Sequence, residues 1–258
     1  MKRLLTLLLL CSTVVGSAMA WDNRGHSTVA YIAERHLTPR AKANIEQYIN
    51  GQSIVYYSAW MDHNRTTPPY NVTHDWHVDY WTDDQRVDAE GNPQPPISVS
   101  NVKRIISEMG DFRTLPDSVV NVNIKYLVHL LGDIHCPVHV NFAKTRPIRT
   151  KFGGKTVKYH AMWDGHVAAI KHKGLSPMTI AETLDIHSPE QIAAFQAGTP
   201  DDWHLETTQI SDEVYAMLPE ENKLSNVNYF NKAVKIANLQ WVRAGYRLAH
   251  VLNTIFDK

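Results

Sequence analysis

Residues 128–140 read VHLLGDIHCPVHV, an apolar run with the pattern of a buried helix that nonetheless carries three histidines and an aspartate. The chain has 14 histidines in 258 residues, so three within the eleven positions from His129 to His139 are a local excess. His129 and Asp133 are four apart, which stacks them on one face of a helix. His160 and Asp164 repeat that spacing in YHAMWDG. An i, i+4 pair aims two donors at one point, as a metal ion requires of a rigid element. One such pair more often makes a surface hydrogen bond, but two pairs, with His139 just past Pro137, point to a shared cavity. Upstream, SAWMDHNR sets Asp62 in an aromatic loop and HDWHVDY sets His77 in another, where either alone reads as loop hydrogen bonding. Imidazole and carboxylate donors with no thiolate among them suit zinc in a catalytic setting more than a closed structural site.

Outward from this stretch, helical periodicity dominates and the alternation of strands is scarce. Val29, Ile32, Ala33 and His36 mark a helix over 26–36, and a second continues past Thr38-Pro39 through Ile45, Tyr48 and Ile49. Prolines, glycines and aromatics over 54–100 predict long loops with short helical turns. Helices are expected over about 101–112 and 119–136, the latter ended or kinked by Pro137. RPIRTKFGGKTV predicts a loop with a short hairpin, YHAMWDGHVAAI another helix, and two more helical segments precede a long last one. That last helix has a broad apolar stripe of Tyr229, Ala233, Ile236, Ala237, Leu239, Val242, Tyr246, Ala249, Leu252 and Ile255. The expected fold is mainly α, a compact single-domain helical bundle.

Lys2 and Arg3 precede an apolar run that ends in SAMA, which reads as a secretory signal peptide over 1–20, cleaved after Ala20. The run is shorter than the roughly twenty apolar residues of a spanning helix, and no second such run follows, so no membrane is expected for the mature form. Residues 21–258 contain no linker, charge block or repeat and read as one domain. Cys11 leaves with the signal, and Cys136 alone cannot form an intramolecular disulfide. Without Lys2 and Arg3, 24 basic side chains face 26 acidic ones, unlike the basic surface of a protein that clamps duplex DNA.

In order and spacing, WDNRGH, WMDHNR, WHVDY, VHLLGDIHCPVH and HAMWD resemble the zinc-dependent single-strand-specific nucleases of the S1/P1 family, over nearly the whole mature chain. The resemblance implies a trinuclear zinc cleft of the phospholipase C/nuclease type. One zinc would be held by Asp62, His77, His129 and Asp133, and a second by His139, His160 and Asp164. The third would take the amino nitrogen and carbonyl oxygen of Trp21 with His26, and Asp133 would bridge it to the first. The other histidines, His135 included, are left as packing or hydrogen-bonding groups.

Three Zn²⁺ against three aspartates would focus a charge of roughly +3 on a phosphodiester in a nearly neutral chain. Zinc also acidifies water toward a pKa of about 7. Asp62 is expected to orient the attacking water and Arg65 to contact the phosphoryl oxygens. The implied enzyme is a secreted or periplasmic endonuclease acting on single-stranded DNA and RNA, leaving 5′-phosphorylated products, with 3′-nucleotidase activity on nucleotides and no obligate protein partner.

The match departs at FGGKTVKYHAMWD, which is shorter than usual and has Tyr159 where an asparagine often stands, and at the VDY that follows His77. Asp79, Tyr80 and Tyr159 are therefore candidate substrate contacts together with Arg65, with core packing the alternative for the aromatics. The absence of disulfides points to the bacterial branch. Two rivals remain. A trinuclear-zinc phospholipase C would carry glutamate in place of Asp164 and a histidine farther from the tryptophan than His26. A non-catalytic zinc-binding protein would need Asp62 but not Arg65.

Overall fold

The structure, a computed structural model, describes residues 21–79, 95–140, 148–152, 155–218 and 227–258; the expected signal peptide and Tyr80 lie outside these. Helix α1 (Asn23–Arg35) starts three residues earlier than periodicity predicts because the Asp22 side chain accepts from the amides of Arg24 and Gly25, both at 3.1 Å. That carboxylate satisfies donors a helix start otherwise leaves unpaired. Thr38 caps α2 (Pro39–Tyr48), with proline in the first turn, where its missing N–H costs nothing. The expected loop region holds a 3₁₀ turn over Ile54–Tyr57, the short α3 (Trp60–Asn64) and another 3₁₀ turn over Tyr70–Thr73.

Helices α4 (Ile97–Glu108) and α5 (Asp117–Asp133) follow. Every residue of α5 from Asn123 to Asp133 is buried, so this helix is the centre of the molecule. Its regular turns stop at Asp133, three residues short of the expected end. His135 N–H then bonds Gly132 O and Cys136 N–H bonds Asp133 O, which are tightened i to i−3 turns. Pro137, with no N–H and a ring that disfavours α geometry at Cys136, accounts for the early exit.

The hairpin is present as β1 (Arg149–Phe152) and β2 (Lys155–Lys158), antiparallel with Arg149 opposite Lys158. The helix expected over 159–170 is two, α6 (Tyr159–Gly165) and α7 (Val167–Lys171), separated at His166. Three helices rather than two precede the last: α8 (Pro177–Leu184), α9 (Pro189–Gln196) and α10 (Pro200–Ala216). Each begins with a Ser or Thr cap followed by proline, at Ser176, Ser188 and Thr199, a start signal fully visible in the sequence.

Helix α11 (Val227–Phe256) runs through the core with Ala233, Ala237, Trp241, Ala244, Leu248 and Leu252 buried along its stripe. It meets α1 at Gly245, where an added Cβ would lie 2.6 Å from Ile32 Cβ. Only a residue without that atom lets the two helices approach so closely. Among the described residues no helix is long and apolar enough to cross a membrane.

Candidate metal centre

Five segments deliver the His and Asp side chains to one buried place. Helix α5 supplies His129 and Asp133 from one face, both fully buried. The His129 Nδ1–H donates to Ser58 O at 2.8 Å, which leaves Nε2 as the inward lone pair. Burial, then the neighbouring His26, pushes the His129 pKa down to about 3, so the ring stays neutral and able to ligate. Past Pro137, His139 donates from Nδ1 to His77 O at 2.9 Å, and Asp79 N–H returns a bond to His139 O, clamping the two loops together. Such backbone anchors orient ligating imidazoles.

Around one point stand Asp62 Oδ1, His77 Nδ1, His129 Nε2 and Asp133 Oδ2. The His77–His129 and His77–Asp133 separations are 3.1 Å and the His129–Asp133 separation 3.3 Å. Asp62 stands 3.7 Å from His77 and 3.8 Å from His129. Donors about 2.0–2.1 Å from a tetrahedral zinc lie about 3.3–3.4 Å apart, so the spacing fits an ion of that size. Both Asp62 oxygens, His77 Nε2 and both His26 nitrogens are buried with no hydrogen-bond partner. Uncompensated groups of this kind cost about 1–3 kcal/mol each, more when charged, and a cation removes that cost for those facing it.

A second group joins His139 Nε2, His160 Nε2 and Asp164, with separations of 3.1, 3.3 and 3.0 Å. Burial opposes ionisation of Asp164, but His160 and His139 hold its pKa below the usual value. Asp133 faces two ways. Its Oδ2 meets His77 and His129, while Oδ1 lies 3.4 Å from His26 Nε2. Despite burial, His129, His26 and His77 hold the Asp133 carboxyl well below its ordinary range, so it stands as the anion that can join two cation sites. Among the described residues, three groups of buried side chains have ligand atoms all within 4.8 Å: His26, His129 and Asp133; Asp62, His77 and His129; and Cys136, His139 and Asp164.

Trp21 is fully buried, its indole N–H bonded to Gly132 O at 3.1 Å, and Asp22 N–H donates to Asp164 O at 2.9 Å. The backbone of Trp21 is thereby held between the two ligand helices. Two glycines create the seat: a Cβ on Gly25 would strike Trp21 Cβ at 2.7 Å, and one on Gly132 would strike His26 Nδ1 at 2.9 Å. His26 stacks on His129 with centroids 3.8 Å apart.

Arg65 lies at the exit of α3 with Nη1 3.7 Å from Asp62 Oδ1, beside the cluster. Of the other substrate-contact candidates, the two within the described residues, Asp79 and Tyr159, are otherwise engaged. Asp79 is buried, accepting from Ser98 N–H at 3.0 Å, Ser98 Oγ at 2.6 Å and His204 at 2.9 Å, so it secures the start of α4. Tyr159 is buried, donating to Val214 O and accepting from Tyr229, which in turn accepts from Trp163. His135 is a packing histidine, donating to Leu131 O and accepting from buried Arg247 at 2.8 Å. Cys136, which residue-type reasoning passed over, has Sγ 3.9 Å from Asp164 Oδ1, and burial pushes its thiol up to about 11. Gly25 and Gly132 were also missed, and a glycine inside a buried apolar helix is the signal that could have found the second.

A helical scaffold that gathers buried imidazoles and carboxylates from distant segments, with an arginine beside them, is an arrangement that could hold metal ions and fits the metal-assisted class of hydrolases. The particular family follows from comparison: the S1/P1 nuclease profile matches residues 21–257, and the chain belongs to that family. It is 23% identical to Nuclease S1 of Aspergillus oryzae over 99% of this chain and 98% of that protein. It is 23% identical to Nuclease P1 of Penicillium citrinum (91% and 97%) and 21% identical to Endonuclease 4 of Arabidopsis thaliana (96% and 93%). Nucleic acid is therefore its substrate class, and phosphoester hydrolysis its reaction.

Proposed function

We propose that the protein is a zinc-dependent endonuclease of single-stranded DNA and RNA that leaves 5′-phosphorylated products and also acts as a 3′-nucleotidase. The observation that carries this reading is Asp133, whose two oxygens face two different histidine groups in a cluster of buried, unsatisfied donors. The buried imidazoles and carboxylates, several of them without hydrogen-bond partners, support a reading with three ions. Asp62, His77, His129 and Asp133 would hold one, His139, His160 and Asp164 a second, and Trp21 with His26 and Asp133 the third. Zinc held there would supply Lewis acidity and acidify water toward a pKa of about 7.

The chain's own groups do the rest. Asp62 accepts a hydrogen bond from the attacking water and orients its lone pair toward phosphorus, in line with the bond to the 3′ oxygen, which breaks so that this oxygen leaves as the 3′-hydroxyl with a proton from the water. The Arg65 guanidinium, which forks toward paired oxygens, steadies the phosphoryl group as charge builds on it. Recession of the cluster requires that the neighbouring base be unstacked, which favours single strands over duplex. The proposal includes export, with residues 1–20 removed before Trp21. A free α-amino group there can ligate, whereas an amide cannot.

The test is cleavage of denatured DNA by zinc-loaded protein beginning at Trp21, beside Asp62→Asn. Turnover in the parent and its loss in the variant are expected. No turnover in either, with hydrolysis of phosphatidylcholine instead, would overturn the nuclease reading in favour of a phospholipase. Tight zinc binding with no phosphoester turned over would leave a zinc-binding protein.

A further inference from the structure

Beside the metal centre lies a cavity of about 320 Å³ that the mechanism above does not use, lined by Asn23, Ser27, Tyr56, Tyr57, Trp60 and His63 among others. Its walls come from the segments that build the centre. His63 follows Asp62 in α3, and Asn23 opens the helix that carries His26. Ser58, whose carbonyl anchors His129, also lines it, and its hydroxyl lies 3.0 Å from that of Ser27.

The lining has a definite chemistry. Tyr56 is 72% exposed, and the neighbouring ring of Tyr57 lies perpendicular to it at 4.9 Å, so most of the Tyr56 ring is open to solvent. Such exposure is unusual for a side chain of that size in a protein that buries most of its aromatics. Behind the cavity, Lys125, one turn before His129 on α5, holds Nζ 4.4 Å from the Tyr57 ring and 4.7 Å from the Trp60 ring. An exposed aromatic ring, a buried cation packed on the two neighbouring rings and polar groups from Asn23, Ser27 and His63 are together what a single-stranded polynucleotide meets on proteins that bind it without sequence preference.

We propose that this cavity is a base subsite, taking the base of the nucleotide next to the scissile phosphate, stacked on Tyr56. The inference rests on the nuclease reading. A base reaches Tyr56 only when unstacked from its neighbours, so the subsite admits a single strand and refuses a duplex. Stacking recognises the ring face rather than its hydrogen-bonding edge, so little discrimination among bases is expected.

The experiment measures binding of a fluorescein-labelled phosphorothioate oligothymidylate to zinc-loaded protein by anisotropy, for the parent, Tyr56→Ala and Tyr56→Phe. Tyr56→Ala is expected to weaken binding about tenfold, as loss of one base–aromatic stack does, with Tyr56→Phe close to the parent. An oligomer of abasic residues should bind the parent and Tyr56→Ala alike. If the parent cleaves denatured DNA but Tyr56→Ala binds the oligothymidylate as well as the parent does, the subsite is wrong and the nuclease reading stands. A parent that neither binds nor cleaves any strand overturns both.

Discussion

Replacing Gly132 by alanine tests whether the seat of His26 is as tight as its geometry. Inside an ordinary helix the exchange stabilises by about 1 kcal/mol, because glycine loses more backbone entropy on folding. At Gly132 the new Cβ would stand 2.9 Å from His26 Nδ1 and 3.1 Å from Cε1, against ordinary contact at 3.4 Å or more. The ring has little room to yield, since it is fully buried and stacked on His129. Overpacking of this kind costs about 1–3 kcal/mol, which outweighs the helix term and leaves a net loss of about 1 kcal/mol. For a chain of this size that is a fall of about 2–4 °C in Tm. The chemical effect is larger than the thermal one, because the ring must shift and carry Nε2 away from Asp133 Oδ1. Metal content after dialysis against zinc-free buffer, measured by plasma emission spectrometry, should drop by one ion per chain while the other two remain. A variant that keeps its full metal complement and melts higher than the parent would refute the close-packing argument.

Gly245→Ala should cost about 2–3 kcal/mol, since the added Cβ meets Ile32 at 2.6 Å and Val29 O at 3.1 Å where α1 crosses α11. The check is a lower urea midpoint at unchanged slope, and an unchanged midpoint would count against the crossing as described. Asp185 accepts from Arg35 at 2.7 Å, His36 at 2.8 Å and Tyr246 at 2.8 Å, and these bonds hold its pKa below 3.8 although burial pushes the other way. A carboxyl depressed in the folded state stabilises above its unfolded pKa and loses that contribution as pH falls through the folded value. Asp185→Asn should therefore cost about 2 kcal/mol at pH 5. The gap from the parent should close as pH drops below 3.8; a gap constant with pH would show that the charge is not what matters. One extra residue before Trp21 should lower the zinc bound per chain by one and reduce nuclease activity, and full activity in such a protein would exclude the Trp21 amine as a ligand.

The sequence read alone was most informative wherever the deciding interaction lies within one helix or one short segment. His129 with Asp133 and His160 with Asp164 announce themselves because the helical repeat brings i and i+4 together whatever surrounds them. The stripe of α11 and the caps at Ser176, Ser188 and Thr199 are legible for the same reason, although those caps divide the region into three helices where periodicity suggested two.

Other features depend on partners far along the chain. Asp79 and Tyr159 read in sequence as candidate substrate contacts, with core packing the alternative for the tyrosine, and in the structure Ser98, His204, Tyr229 and Val214 occupy their hydrogen-bonding atoms. Cys136 gains a place beside the second ligand group only because Pro137 ends α5 early and turns the chain. The amino-acid sequence by itself determined a mainly helical chain and the residues of its candidate cluster. The family resemblance implied that Asp133 serves two groups; the tertiary structure supplied the contacts, with one oxygen on His77 and His129 and the other toward His26, and showed that Gly25 and Gly132 make the room in which Trp21 and His26 are packed. Spacing along a helix is a local property of the backbone. The close approach of distant segments is settled by where side chains find volume, and that volume exists only once the chain has packed.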